Sequence, residues 1–300
     1  MGGPIIECVP NFSEGRDVSV VARIAEAITS VPGAAVLDQT SDWDHNRSVI
    51  TFAGSPDAAA EAAFRAIQRA VELIDLSRHA GVHPRIGAAD VIPLVPVAGV
   101  TLEFCAQMAA QLGERVWREL HVPVYLYEAA ARRPDRANLA NIRRGRFEAL
   151  REEVSCNPER RPDFGEAALH PTAGACVIGA RKFLIAFNVN LDTADLEIAR
   201  RIARKIRASS GGLTAVKALG LLLESCGKVQ VSTNLTDFEL TPLCAIVEAV
   251  RAEARQCGVQ IAGTELVGLI PRRALEAAGT CRLGIRDDQV LESRLDQCLR

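Results

Sequence analysis

Residues 78–97, RHAGVHPRIGAADVIPLVPV, gather two histidines, two arginines and an aspartate ahead of an apolar run. Folding does not require such a density of titratable groups. Gly81 and Gly87 allow backbone conformations that a Cβ would deny. Pro84 fixes its own φ and pushes His83 out of the helical region into an extended conformation. His83 is thus a conformationally restrained histidine on a loop that leads into a strand expected over residues 90–95, where a rigid scaffold can present a catalytic group. An imidazole with an unperturbed pKa of about 6.5 can accept and return a proton at neutral pH. The competing reading is a solvated loop histidine followed by a core strand.

Other residues could complete a site. His79 and His83 stand four apart, a metal-ligand spacing on a helix, but Gly81 and Pro84 argue against a helix there. Asp90 or His45 would have to supply a third ligand, and no metal is expected. The run Asp44, His45, Asn46, Arg47 precedes a strand and reads as a polar turn for Asp44 and His45. Arg47 opens the strand and is placed to hold a carboxylate by paired hydrogen bonds, as is Arg85 two residues after His83. The competing view makes both arginines partners in surface ion pairs. Residues 165–174 (Gly165, Glu166, Ala167, Ala168, Leu169, His170, Pro171, Thr172, Ala173 and Gly174) carry a histidine, a threonine and free amides at a candidate domain junction, a favoured ligand location. They could equally be plain connection.

The elements that must position these residues follow from periodicity. A short strand over residues 5–9 precedes a helix capped by Asp17, with Val21, Ile24, Ala25 and Ile28 at helical spacing. Strands are expected over 34–38 and 48–53, and an alanine-rich helix opens at Ser55 and Pro56. A further helix from Thr101 leads to the strand VPVYLY. After an arginine-rich stretch of short helices, the prolines and glycines of 162–174 mark the best candidate linker. Residues 174–191 read as two strands joined near Gly179 to Arg181. A helix over 193–209, strands near 219–223 and 229–234, a helix over 241–257, a strand over 265–270 and a helix from Pro271 complete the chain. The expectation is an α+β protein of two α/β sandwich subdomains, residues 1–175 and 176–300. Their sheets should be mixed or antiparallel, ferredoxin-like in character, with helices on the outer faces.

Composition narrows the function class. The chain has 300 residues, 48% hydrophobic and 24% charged, with a net charge of -2 and 4% aromatics. These values describe a globular protein with neither the basic surface nor the stacking platforms of a nucleic-acid binder. Nine scattered cysteines without a CxxC pair argue against a disulfide framework or structural zinc. The start MGGPIIECVP lacks the features of a secretory signal, and no segment is long and apolar enough for a membrane span, so a cytoplasmic location without membrane contact is expected. No GxxxxGK[ST] or GxGxxG motif occurs.

Several stretches resemble the glutamate formimidoyltransferase family: ECVPNFSEG from Glu7, DHNRSVITFAG from Asp44, RHAGVHPRIGAADV from Arg78, VPVYLY from Val122, PDFG from Pro162, GARKFLIAFNVNL from Gly179 and QVSTNLTDFELTPL from Gln230. Together they span nearly the whole chain, falling away after about Ala278. The resemblance implies transfer of a formimino group from N-formimino-L-glutamate to tetrahydrofolate, giving 5-formiminotetrahydrofolate and glutamate in histidine degradation. Tetrahydrofolate would be a co-substrate, and the protein a homodimer of two-subdomain chains with folate bound between the subdomains. The catalytic histidine falls on His83, and the folate contacts on residues 165–174. Mammalian relatives carry a cyclodeaminase domain after this region, so a monofunctional enzyme is expected here. A carboxylate such as Asp38 or Asp90 would orient the imidazole or hold the cationic amidine, and Arg47 and Arg85 would hold the substrate carboxylates. Two other readings stay open: the same fold acting on formiminoglycine or a formyl amino acid, and a folate-binding protein without turnover.

Overall fold

The computed structural model describes residues 3–43, 45–81, 84–223, 227–279, 281 and 283–298. The chain forms two compact units, Met1–Arg181 and Lys182–Cys298. The elements of the first, in order, are β1 (Ile5–Cys8), β2 (Asn11–Phe12), α1 (Val18–Thr29), β3 (Ala34–Asp42), β4 (Arg47–Gly54), α2 (Pro56–Leu73), β5 (Ala89–Ala98), α3 (Leu102–Leu120), β6 (Val124–Glu128), α4 (Leu139–Ile142), α5 (Arg146–Glu153) and β7 (Cys176–Ala180). Their boundaries have local causes. The Asp17 carboxylate accepts the amides of Ser19 and Val20 at the start of α1, Ser55 accepts from Ala58 ahead of Pro56 in α2, and Thr101 accepts from Phe104 in α3.

β1 and β2 are one strand interrupted at Pro10, since both pair antiparallel with β4 on one side and β5 on the other. With β3 at the edge of β4, the spatial order β5-β1-β4-β3 and the helices α1 and α2 give a βαββαβ unit of ferredoxin-like topology. β6 and β7 extend that sheet, β7 lying parallel to and between β5 and β6. Helices α1, α2 and α3 cover one face, burying Ile24, Ile28, Ile67 and Val116 against Ile6, Ile50, Phe52, Ile92 and Ile178. On the other face α4 and α5 bury Ile142 and Leu150 against Val91, Tyr125, Tyr127 and Val177. The excursion between β6 and β7 is tied down by arginines: Arg136 donates to Asp163 at 2.6 Å and to the Arg161 carbonyl, and Arg160 donates to the carbonyls of Asn141, Ile142 and Arg144.

The second unit holds β8 (Ile185–Leu191), α6 (Leu196–Ile206), β9 (Val216–Leu223), β10 (Lys228–Leu235), α7 (Leu243–Gln256), β11 (Ile261–Val267), α8 (Arg272–Ala277) and α9 (Leu291–Cys298). Its antiparallel sheet runs β11-β8-β10-β9, the same βαββαβ order, with Ile202, Ile206, Ile246 and Val250 packed on Phe187, Val189 and Val231. The two units thus share one architecture. Two β-sheets with packed helices make the protein α+β.

Two connections differ from the sequence reading. The two strands of residues 174–191 are not a hairpin. β7 completes the first sheet, β8 opens the second, and the division falls after Arg181, whereas the sequence reading drew it after Ala175. β7 is a short apolar run buried on both faces and β8 alternates buried with half-buried residues, so each reads as a strand locally, but only pairing tells which sheet it joins. Nor are residues 165–174 a bridge between units. Phe164 pairs with Val124, and the Leu76 amide donates to Thr172, Ala88 to Ala173 and Ala175 to Ile86. The expected terminal helix is also divided, because Gly279 at φ +63° ends the turn after α8. The eight described cysteines are free thiols; Cys176 is buried, whereas Cys244 is half-buried.

Close backbone approach explains the glycines at this pairing. A Cβ on Gly174, whose φ is +70°, would sit 2.2 Å from the Ile86 carbonyl oxygen, and one on Gly87 would sit 2.0 Å from that of Ala175. Gly174→Ala should therefore lower stability by roughly 2 kcal/mol or more, combining backbone strain with the clash. Urea unfolding checks this, and an unchanged midpoint would contradict it.

Candidate active site

The site assembles around Asn46, in the turn that joins β3 to β4. Its backbone lies in the left-handed region at φ +48°, which asparagine tolerates better than most residues. The side chain is buried. Its Oδ1 accepts the Gly15 amide at 3.0 Å, its Nδ2 donates to the Ala80 carbonyl at 3.1 Å, and its own carbonyl lies 2.9 Å from Nε2 of His79. The turn after β2 and the loop after α2 are thus both fastened to it. Gly15 and Gly81 make this possible, since a Cβ on either would come within 2.4 Å of a backbone oxygen, that of Asp42 or His45.

The chain of bonds continues from His79 to Arg85. Arg85 Nε donates to His79 Nδ1 at 2.9 Å, and Nη2 donates to the His79 carbonyl at 3.0 Å. The guanidinium also grips both carboxylate oxygens of Glu148 on α5, at 2.9 and 3.2 Å. Arg85 is only 4% exposed, so its donors serve the protein. A guanidinium cannot accept a hydrogen bond, so His79 Nδ1 carries the lone pair and Nε2 the proton, which goes to the Asn46 carbonyl. Burial accordingly pushes the His79 pKa below its usual value, and the Arg85 charge adds to that. The Glu148 carboxyl is lowered chiefly by its hydrogen bond from Arg85.

His83 and Asp44 lie outside the described residues. Both flanks of residues 82–83 are held: the Ala80 carbonyl by Asn46, and Arg85 by His79 and Glu148. Asp90 is 1% exposed; its Oδ1 accepts the Ile86 and Gly87 amides at 2.7 and 3.3 Å, and its Oδ2 accepts from Arg143, so it shapes the loop behind the site. Arg47 donates from Nη1 to Asn11 Oδ1 at 3.0 Å. Burial lowers its pKa, with the Arg143 charge contributing next. Asp38 is half-buried on β3 opposite Thr51, and Asn11 stands opposite Val49. Alternation along β4 then puts Asp38, Asn11 and Arg47 on one face of the sheet, away from Ile50 and Phe52 in the helix-covered core. Glu7, 5% exposed and opposite Ala53, shares that face. His45 forms a turn with Asp42, as its local sequence suggests.

The segment 165–174 lies beside this loop through the Thr172 and Ala173 carbonyls already described. His170 closes its turn, with Nδ1 accepting the amides of Thr172 and Ala173 at 3.4 and 3.0 Å. Its pKa is lowered mainly by burial. Gly165, Glu166, Ala168 and Pro171 are exposed, while Ala167, Leu169, His170 and Thr172 are half-buried and Ala173 and Gly174 buried. Among the described residues no group of three His, Cys, Asp or Glu side chains could hold a metal, and no helix is long and apolar enough to cross a membrane. Sequence reasoning missed Asn46 as a hub, and it missed Arg143, Glu148 and Glu7. Asn46 carried a faint signal as an asparagine in a turn before a strand; the others had none, being distant in sequence from what they touch.

Comparison with known proteins is decisive for the family. Residues 5–181 match the model of the formiminotransferase domain, N-terminal subdomain, and residues 186–294 match the formiminotransferase domain. The chain belongs to the formiminotransferase family. A glutamate formimidoyltransferase of Streptococcus pyogenes is 43% identical over 97% of this chain and 98% of its own length, and one of Thermoplasma acidophilum is 47% identical over 98% of each. The formimidoyltransferase-cyclodeaminase of Mus musculus is 46% identical over 90% of this chain and 51% of its own length. Asn46 ties together the stretches that begin at Glu7, Asp44 and Arg78.

A depressed histidine pKa has a defined pH signature. With the folded value below the unfolded one, His79 stabilises fully above about pH 6.5 and loses that contribution as pH falls toward its folded value, because the unfolded chain then binds the extra proton. Between about pH 7 and 5.5 the unfolding midpoint should fall, and His79→Gln should flatten that slope in part, leaving the share of His170. An unchanged slope in the variant would contradict this reading.

Proposed function

We propose that this protein transfers the formimino group of N-formimino-L-glutamate to tetrahydrofolate, releasing L-glutamate and 5-formiminotetrahydrofolate. The observation that carries the reading is the near-full-length similarity to two proteins named glutamate formimidoyltransferase. In this reaction N5 of tetrahydrofolate attacks the amidinium carbon, forming an N–C bond and a tetrahedral centre. The proton leaving N5 must reach the glutamate nitrogen as its bond to that carbon breaks. His83 is the group we assign to this transfer, acting first as base and then as acid. Arg85 is a positioning residue: it links the loop to α5 and fixes the His79 tautomer.

Asp38 and Arg47 suit the two ends of the donor. Their strand positions are four residues apart along β4, about 13 Å at ~3.3 Å per residue, a span that a five-carbon dicarboxylate and the reach of an arginine cover. Arg47 would then hold a carboxylate while Asp38 faces the cationic amidine. Residues 165–174, hydrogen-bonded to the loop at Leu76 and Ala88, are the folate segment in this reading. Work on a product of histidine degradation in the cytoplasm, by a homodimer, belongs to the same proposal.

His83→Ala should lower kcat by about 100 to 10,000-fold while tetrahydrofolate binding persists. Turnover at the parent rate would remove His83 from the mechanism.

A further inference from the structure

The excursion between β6 and β7 brings in a residue that no spacing in the sequence connects to the site. Arg143, at the end of α4, donates to Asp90 Oδ2 and is 12% exposed. Its charge and that of Arg47 act on each other, with Asp90 close to both. Asp42 as well as Asp90 acts on Arg47 from nearby, so the pair is a cluster of charges of both signs. The Nε–H of Arg47 and that of Arg143 are each buried with no hydrogen-bond partner among the described residues. Native structures seldom leave a buried donor unpaired without a functional reason, and two such donors on adjacent like charges call for an anionic acceptor.

Arg143 is also held in place beforehand. Arg160, itself buried, donates to the carbonyls of Asn141 and Ile142 before it, at 3.2 Å each, and to that of Arg144 after it at 2.8 Å. Arg47 is fixed by Asn11. Both guanidiniums are therefore ordered before any ligand arrives, which reduces the entropy lost on binding. Arg85 is not part of this pair, because its donors are spent on His79 and Glu148.

We infer that Arg143 and Arg47 together form the receptor for a carboxylate of the donor substrate, the two guanidiniums sharing one carboxylate between them, so that Arg143 is a specificity-determining residue. This rests on the transferase reading above. It limits the donors to acidic N-formimino amino acids and disfavours analogues in which the bridged carboxylate is an amide, since a neutral amide cannot make charge-assisted hydrogen bonds with both guanidiniums.

Arg143→Lys keeps a charge beside Asp90 but loses the planar fork. It should raise KM for N-formimino-L-glutamate by about 10 to 100-fold, the loss expected for charged hydrogen bonds, with KM for tetrahydrofolate and the unfolding midpoint little changed. One of the two monoamides of the donor should show a comparable loss with the parent protein and little further loss with the variant. Unchanged donor KM in Arg143→Lys overturns the inference. So does a common shift of both KM values and the midpoint, which marks a purely structural role. Calorimetric binding of L-glutamate to both proteins separates the two levels. Binding that needs Arg143 in a protein without turnover leaves the receptor standing and sinks the transferase reading. Turnover that ignores Arg143 does the reverse.

Discussion

The contact on which the site depends is the 2.9 Å hydrogen bond from Arg85 Nε to His79 Nδ1. An arginine can only donate, so this one bond settles the tautomer of the imidazole, sends its proton to the Asn46 carbonyl and opposes a second proton. The consequences run in both directions along the chain. Through Asn46 the loop is coupled to Gly15 at the end of β2, and through Glu148 it is coupled to α5. Removing any member would leave a buried polar group without a partner, which is why the arrangement acts as a unit.

The scaffold explains how such a unit can sit next to reactive groups. A βαββαβ sheet buries one face under three helices and leaves part of the other to polar side chains from β2, β3 and β4. The extra strands β6 and β7, and the arginine-clamped excursion between them, carry Arg143 and Glu148 to that second face. Arg136 with Asp163 and Arg160 with three carbonyls replace the apolar packing that an excursion so rich in charge cannot supply. Arg47 and Arg143 share with Arg160 a buried Nε that makes no hydrogen bond among the described residues, but Arg160 Nε lies 2.9 Å from a Glu153 carboxylate oxygen.

Much of this was legible in the sequence, for identifiable reasons. Caps at Asp17, Ser55 and Thr101 and the periodic apolar faces gave the helices, and the loop around Arg78 was singled out by its glycines, proline and charges. The pairing of β7 and β8 into separate sheets was not legible, because strand partners are chosen by long-range packing rather than local pattern. The prolines and glycines of 162–174 marked an irregular segment correctly, yet they could not say that it folds back on Leu76 and Ala88. Arg85 shows the same limit from the other side: an arginine beside a candidate catalytic histidine looks free in one dimension, and Glu148 is 63 residues away.

The most direct test of this account is the protonation state of His79, read from imidazole nitrogen chemical shifts of the labelled protein near neutral pH. The structure requires a neutral ring with the proton on Nε2 and an unprotonated Nδ1, and loss of that pattern when Arg85 is replaced by glutamine or methionine. A proton on Nδ1, or a charged imidazolium at pH 7, would contradict the hydrogen-bond chain and with it the proposed anchoring of the loop.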